Sequence, residues 1–220
     1  MRVVEKVMRD FKPTHLVYLG DALDFDYISK FTEGNIRKLE GKRLKRDYIE
    51  FNKMLKRHKK LCGRPKVIYF IGNHEYRLEK YLDKCPQGEG FQEVEYNIEG
   101  VDEFIPYNKV WKCGKLSYLH GVYTNQFHAK KHVENYGRNV IYGHTHQVQV
   151  YTKVSQCDRE DFHTGKSIGC LSDKNPEYLH NRPNSWTHAF HICEMENDGY
   201  FSEHTMVINK GKLIWNGKVY

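Results

Sequence analysis

The 220-residue sequence has no long apolar run. Stretches such as Val67-Ile-Tyr-Phe-Ile71 fall far short of the roughly 18–20 residues that cross a bilayer, so no membrane-spanning helix is expected. The amino terminus, MRVVEKVMRDF, carries no signal-peptide core, because charges interrupt it every few residues. No Cys-x-x-Cys pair occurs. The six cysteines, at positions 62, 85, 113, 157, 170 and 193, match no zinc-ribbon spacing. Reduced structural thiols in a cytosolic protein are the expectation. Repeats, low-complexity tracts and a linker are also missing, so a single domain over residues 1–220 is the simplest organisation.

What is present points to a packed globular chain. Sixteen Tyr and 11 Phe exceed what a disordered polypeptide would carry. The formal charge is +7, and much of it lies between Lys38 and Lys66, including Lys42, Arg43, Lys45, Arg46, Lys53, Lys56, Arg57, Lys59 and Lys60. Such a surface concentrates anionic partners, although a run of charge also suits a solvated helix face.

Val3, Val4, Val7, Met8 and Phe11 recur at helical spacing, which predicts a helix over 2–11, ended by Pro13. Residues 15–19 then read as a buried strand stopping at Gly20-Asp21. A polar helical region is expected over 37–61, with Ile49, Phe51, Met54 and Leu55 as its buried stripe. Residues 67–71 form a second apolar strand, stopping at Gly72-Asn73-His74-Glu75, and 76–83 return to helix. Loops and short strands are expected over 86–115. A strand over 116–119 stops at His120-Gly121, and a helix follows over 128–136. The strand 140–142 stops at Gly143-His144-Thr145-His146. Beyond Gln147 the chain reads as strands and turns, with a hairpin around Asn209-Lys-Gly211.

Four apolar strands thus end in glycine beside side chains able to hold metal. In α/β sheets ligands bind beyond the carboxyl ends of the strands, so Asp21, Asn73, His74, His120, His144 and His146 are candidates for one site. A carboxylate can bridge two cations, while imidazoles and a neutral amide oxygen complete the shells without added charge. A mixed N/O set suits Mn, Fe, Zn or Ni better than Mg or Ca, and Mn is the expected ion. The lack of cysteine in the group argues against structural zinc.

With these motifs in order, the sequence resembles the calcineurin-like metallophosphoesterases, over about residues 16–146. GDxxD is matched by Gly20-Asp21-Ala22-Leu23-Asp24, GNH[DE] by Gly72-Asn73-His74-Glu75, the His before Gly by His120-Gly121, and GHxH by Gly143-His144-Thr145-His146. Asp24 is followed by Phe25-Asp26 rather than the Arg-Gly of the Ser/Thr protein phosphatases. With the tail Gly169-Cys-Leu-Ser-Asp173 and Trp186-Thr-His188, the chain is more similar to the compact phosphoesterases of bacteriophage and prophage genomes, which would place it in a host cytoplasm.

The resemblance implies an α/β (α+β) fold, a four-layer sandwich of two mixed β-sheets flanked by helices. It implies Asp21 as a bridging ligand, Asn73, His120 and His144 on a second metal, and His146 on a first. His74 is implied as the histidine that contacts the scissile phosphate and protonates the leaving oxygen. Asp21 and His74 are then the catalytic pair, and Asp24 and Glu75 support the ligands. Hydrolysis would proceed by in-line attack of a metal-activated water.

The family's opening D-x-H motif does not occur in residues 1–20, and its strand would be missing with it. Three readings follow: an upstream segment carries the motif, the chain is a one-metal variant, or Asp24, Asp26 or a tail histidine substitutes. The expected activity is hydrolysis of phosphate esters by a phosphodiesterase or nuclease acting on nucleic acid or nucleotides. The alternatives are a catalytically impaired one-metal remnant that binds nucleic acid or protein, and a phosphomonoesterase or protein phosphatase.

Overall fold

The computed structural model describes residues 1–30, 32, 34–90 and 93–220. The chain divides into two compact units, one of Met8–Lys109 and one of Met1–Val7 with Val110–Tyr220. Among the described residues, no helix is long and apolar enough to cross a membrane. The structure is mixed α/β.

Helix α1 (Arg2–Phe11) buries Val3, Val4 and Val7, as the spacing predicts. In the 8–109 unit, β1 (His15–Tyr18), β2 (Lys66–Phe70) and β3 (Glu103–Ile105) form a parallel sheet in that order. Both pairings are parallel, so this sheet is not mixed as the resemblance implies. Parallel neighbours need long crossovers. The first runs through α2 (Ile36–Leu39) and α3 (Leu44–Cys62), the second through α4 (Tyr76–Leu82) and α5 (Val94–Asn97).

The single helix expected over 37–61 is therefore two helices separated around Gly41. Its buried stripe also differs. Tyr48, Phe51, Leu55, His58 and Cys62 are buried, at strict i, i+3, i+4 spacing. Ile49 is 42% exposed, because it lies one residue off that stripe. The aromatic and polar members fit for specific reasons. Tyr18 meets Phe51 edge-on at 5.4 Å, and the Tyr18 hydroxyl pairs with His58 Nδ1 at 2.8 Å. Burial of each large apolar side chain contributes on the order of 1.5–3 kcal/mol. Of the loop-rich region 86–115, positions 91 and 92 lie outside the described residues.

The other unit is built on a five-stranded mixed sheet of order β4-β5-β6-β8-β7. Its strands are β4 (Trp111–Cys113), β5 (Leu116–Leu119), β6 (Asn139–Tyr142), β7 (Val148–Val154) and β8 (Phe162–Ile168). β5, β6 and β8 run parallel, and the two outer strands run antiparallel. Helix α6 (His128–Tyr136) is the crossover from β5 to β6, and its Val133 packs with Leu119, Val140 and Tyr142. A β9 (Ala189–Met195) and β10 (Phe201–Val207) hairpin follows. The turn at 209–212 forms, with Asn209 and Lys212 exchanging backbone hydrogen bonds of 3.0 and 2.9 Å. The last paired strands are β11 (Ile214–Trp215) and β12 (Lys218–Val219), joined by Asn216-Gly217, a turn dipeptide whose signal is plain in the sequence.

Candidate functional site

The parallel register sets the geometry of the first group. Tyr18 of β1 lies opposite Tyr69 of β2. Three residues further along each strand stand Asp21 and Gly72, so the two turns meet side by side. Asp21 adopts a left-handed backbone, φ 54°. His74 N donates to Asp21 Oδ1 at 2.9 Å, and His74 Nε2 lies 3.8 Å from Asp21 Oδ2. A Cβ on Gly72 would stand 2.3 Å from Asp21 Oδ1 and 2.5 Å from Asp21 N. Only glycine permits that approach.

Glu75 locks both turns. It is 1% exposed and accepts from Asp21 N (2.9 Å), Ala22 N (2.9 Å), Leu23 N (3.0 Å), Gly72 N (2.9 Å) and the Tyr69 hydroxyl (2.6 Å). Burial, and then the Asp21 carboxylate, raise its pKa above the ordinary value, while the donated hydrogen bonds from Tyr69 and the backbone oppose this. Five donors aimed at two oxygens are satisfied by the carboxylate anion. Tyr69, buried against that anion, is held well above the usual phenol range by burial first and Glu75 next.

His74 is oriented from its other side. Its Nδ1 lies 2.7 Å from Asp24 Oδ1, and this bond is the main reason the Asp24 pKa falls below its usual value. Arg77 Nη1 donates to the Asp24 carbonyl at 3.0 Å, which fixes the 24–28 loop. Asn73 is half-buried and lies just beyond the end of β2, between Gly72 and His74 in the chain.

The second group sits at the carboxyl ends of β5 and β6, again through parallel register. Leu119 pairs with Tyr142, so His120 and Gly143 follow side by side, and Gly143 N donates to the His120 carbonyl at 2.9 Å. His120 is buried, and its ring meets that of His144 edge-on at 5.0 Å. A Cβ on Gly121 would come within 2.9 Å of His144 Cβ, so this close approach also demands glycine. His144 and His146 both take left-handed backbones, φ 62° and 61°. The intervening Thr145 hydroxyl lies 2.8 Å from Ser167 Oγ of β8, which donates to the Gln147 carbonyl at 2.6 Å. His146 turns its ring to Trp186, 4.2 Å away and edge-on, and Thr187 N donates to the His146 carbonyl at 2.9 Å.

Sequence reasoning passed over the support beneath this group. His132, fully buried on α6, stacks on Tyr142 at 3.7 Å. Its Nδ1 lies 2.7 Å from the His128 carbonyl, and its Nε2 accepts from Val122 N at 3.1 Å. Those partners require a neutral ring protonated at Nδ1. Burial pushes its pKa down to about 4, in agreement with that tautomer. His128 Nδ1 bonds the Tyr142 hydroxyl at 2.5 Å. The signal available in the sequence was the i, i+4 pair His128 and His132 on one helical face. The Glu75 hub had a weaker signal, since nothing local to GNHE reveals its partners at 21–23.

Within the first unit, then, Asp21, His74, Asp24 and Glu75 form one bonded group beside Asn73. Within the second, His120 and His144 are adjacent, and His146 lies against Trp186. Apart from the His74 ring, the first group offers oxygen atoms, and the second offers imidazole nitrogens. Compared with known proteins, the chain matches no family model, no curated protein and no solved structure.

Proposed function

We propose that this protein is a metal-dependent phosphoesterase of the calcineurin-like type, acting on phosphodiesters. The resemblance carries with it a four-layer sandwich of two sheets flanked by helices as the finer fold, here with one parallel and one mixed sheet. The observation that supports the reading most is the pair of turns at Asp21 and Gly72, built in register and locked by Glu75. A buried carboxylate accepting five hydrogen bonds is a costly way to hold a turn, and it serves to present Asp21 and Asn73 at fixed positions.

The donor chemistry fits a divalent transition ion. Asp21 and Asn73 would supply oxygen, and His120, His144 and His146 nitrogen, a set suited to Mn, Fe, Zn or Ni. When bound, such an ion supplies Lewis-acid activation of water and neutralises charge developing on phosphorus. The chain's own residues supply the remainder. Asp24 binds His74 Nδ1 and so turns Nε2 toward Asp21, 3.8 Å from its Oδ2, from where it would deliver a proton to the leaving oxygen. Arg77 keeps Asp24 in place.

The test is turnover of bis-p-nitrophenyl phosphate by folded protein loaded with Mn²⁺, together with a metal count per chain. Turnover that is lost in Asp21→Asn and in His144→Asn, each with the loss of bound metal, is the expected result. Failure to turn over with any divalent ion would sink the proposal. A folded chain that binds one ion or none and stays inactive would instead be a binding remnant of the family.

A further inference from the structure

Helix α3 presents two unlike faces. Its inner face carries Tyr48, Phe51, Leu55, His58 and Cys62. The opposite, exposed face carries Lys45, Arg46, Lys53, Lys56, Arg57 and Lys60. Arg46, Lys53 and Lys60 repeat every seven residues, and so lie in one line at intervals of about 10.5 Å. The others fill the spaces on either side of it.

A solvated surface helix usually alternates its charges and ties them in i, i+4 pairs. This face does not. Glu50 is its one exposed acid, and Arg46 Nε holds it at 3.0 Å. Asp47 turns inward to accept from the Tyr27 hydroxyl at 2.9 Å. Among the described residues, Lys45, Lys53, Lys56 and Lys60 pair with no carboxylate. Arg43, Lys45, Arg46, Ile49, Glu50 and Lys53 line a shallow depression near the start of the helix.

The stripe also has a direction. In a parallel sheet the crossover helix runs back against its strands, so the first turns of α3 lie at the strands' carboxyl ends. The contacts agree. Tyr27 reaches Asp47, Phe25 meets the Tyr48 ring at 5.6 Å, and Lys42 lies 3.9 Å from Asp26. The cationic line therefore begins beside the loop that follows Asp21 and extends away from it.

We infer that the exposed face of α3 is a docking surface for the phosphodiester backbone of a polynucleotide, held by charge and without regard to base sequence. A long polyanion with regular charge matches a face on which, among the described residues, Lys45, Lys53, Lys56 and Lys60 have no carboxylate partner. The stripe carries no exposed aromatic side chain on which a base could stack, so base preference is not expected. The inference gives the proposed phosphoesterase its substrate class and rests on that reading for its purpose, whereas the binding it describes can be measured without any catalysis.

The experiment uses the whole chain and a fluorescent duplex and single strand of about 30 nucleotides, with anisotropy read over about 50 to 200 mM salt in EDTA. Two triple variants are compared: Lys53→Gln/Lys56→Gln/Lys60→Gln on the stripe, and Lys153→Gln/Lys210→Gln/Lys212→Gln elsewhere. Both lose the same charge from exposed positions. The stripe variant should bind about tenfold or more weakly at low salt, with a log–log salt slope shallower by about two to three. The remote variant should bind within about threefold of the parent.

Equal weakening by both triples would reduce the effect to net charge and overturn the inference. So would unchanged binding by the stripe variant, or poly-glutamate binding as tightly as the polynucleotide. Turnover of bis-p-nitrophenyl phosphate should be the same in all three proteins. If none of them turns it over while stripe-dependent binding persists, the phosphoesterase reading fails and the docking surface stands.

Discussion

Gly72 and Asp21, 51 residues apart in sequence, touch so closely that a single methyl group cannot be placed between them: the Cβ would lie 2.5 Å from the Asp21 backbone nitrogen. A backbone atom, unlike the tip of a long side chain, cannot swing aside. Gly72→Ala should therefore displace the β1 turn, with a stability loss of about 1–3 kcal/mol. Urea denaturation gives that loss directly. Metal-dependent turnover, if present in the parent, should fall more steeply than stability does.

Glu75→Gln replaces an anion by an amide whose NH₂ must face groups that only donate. The predicted loss is roughly 3–5 kcal/mol, in the range for breaking a buried charged network. Tyr69→Phe removes one donor of the five and should cost about 1–1.5 kcal/mol. The contrast between the two, read from denaturant midpoints, tests whether Glu75 is the hub; similar losses would argue against it.

Asp24→Asn leaves the backbone contacts of the 24–28 loop in place but weakens the bond that orients His74. Turnover should drop about ten- to a hundredfold with metal content unchanged. A loss of bound metal in step with activity would instead assign Asp24 to the metal.

His132 gives the protein an acid sensitivity of known sign. Its pKa is about 4 when folded, against 6.5 for the free side chain. Above about pH 6.5 the ring is neutral in both states and its contribution is complete. As pH falls from there towards 4, the unfolded chain takes up a proton that the folded ring refuses, so stability declines. His191, pushed down to about 3 by burial first and Lys166 next, acts in the same direction. In His132→Gln, whose amide oxygen can still accept from Val122 N, the fall in urea midpoint between about pH 7.5 and 5 should shrink by roughly half. An unchanged slope would mean that His132 is not buried as a neutral ring.

The element positions were largely readable from the chain. Strand ends at Gly20, Gly72, Gly121 and Gly143, and the helices 2–11 and 128–136, follow from periodicity and turn chemistry confined to a few consecutive residues. The candidate side chains at Asp21, Asn73, His74, His120, His144 and His146 were legible for the same reason. In the stripe of α3, Phe51 and Leu55 are buried and Met54 packs against the core as expected, but Ile49 is exposed, and Tyr48, His58 and Cys62 went unread because they carry little hydrophobic weight in any local count.

The sequence by itself determined which residues stand at the strand ends and why glycine accompanies them. Tertiary structure alone decided how they are held. The register of β1 on β2 and of β5 on β6 sets which turns lie side by side, and it depends on contacts between segments some 20 to 50 residues apart. The choice of Glu75 as acceptor for 21–23, of His132 as support for Val122, and of the α3 face left to solvent all follow from that packing. No local pattern can encode them, since each depends on which groups burial removes from water and so obliges to find a partner.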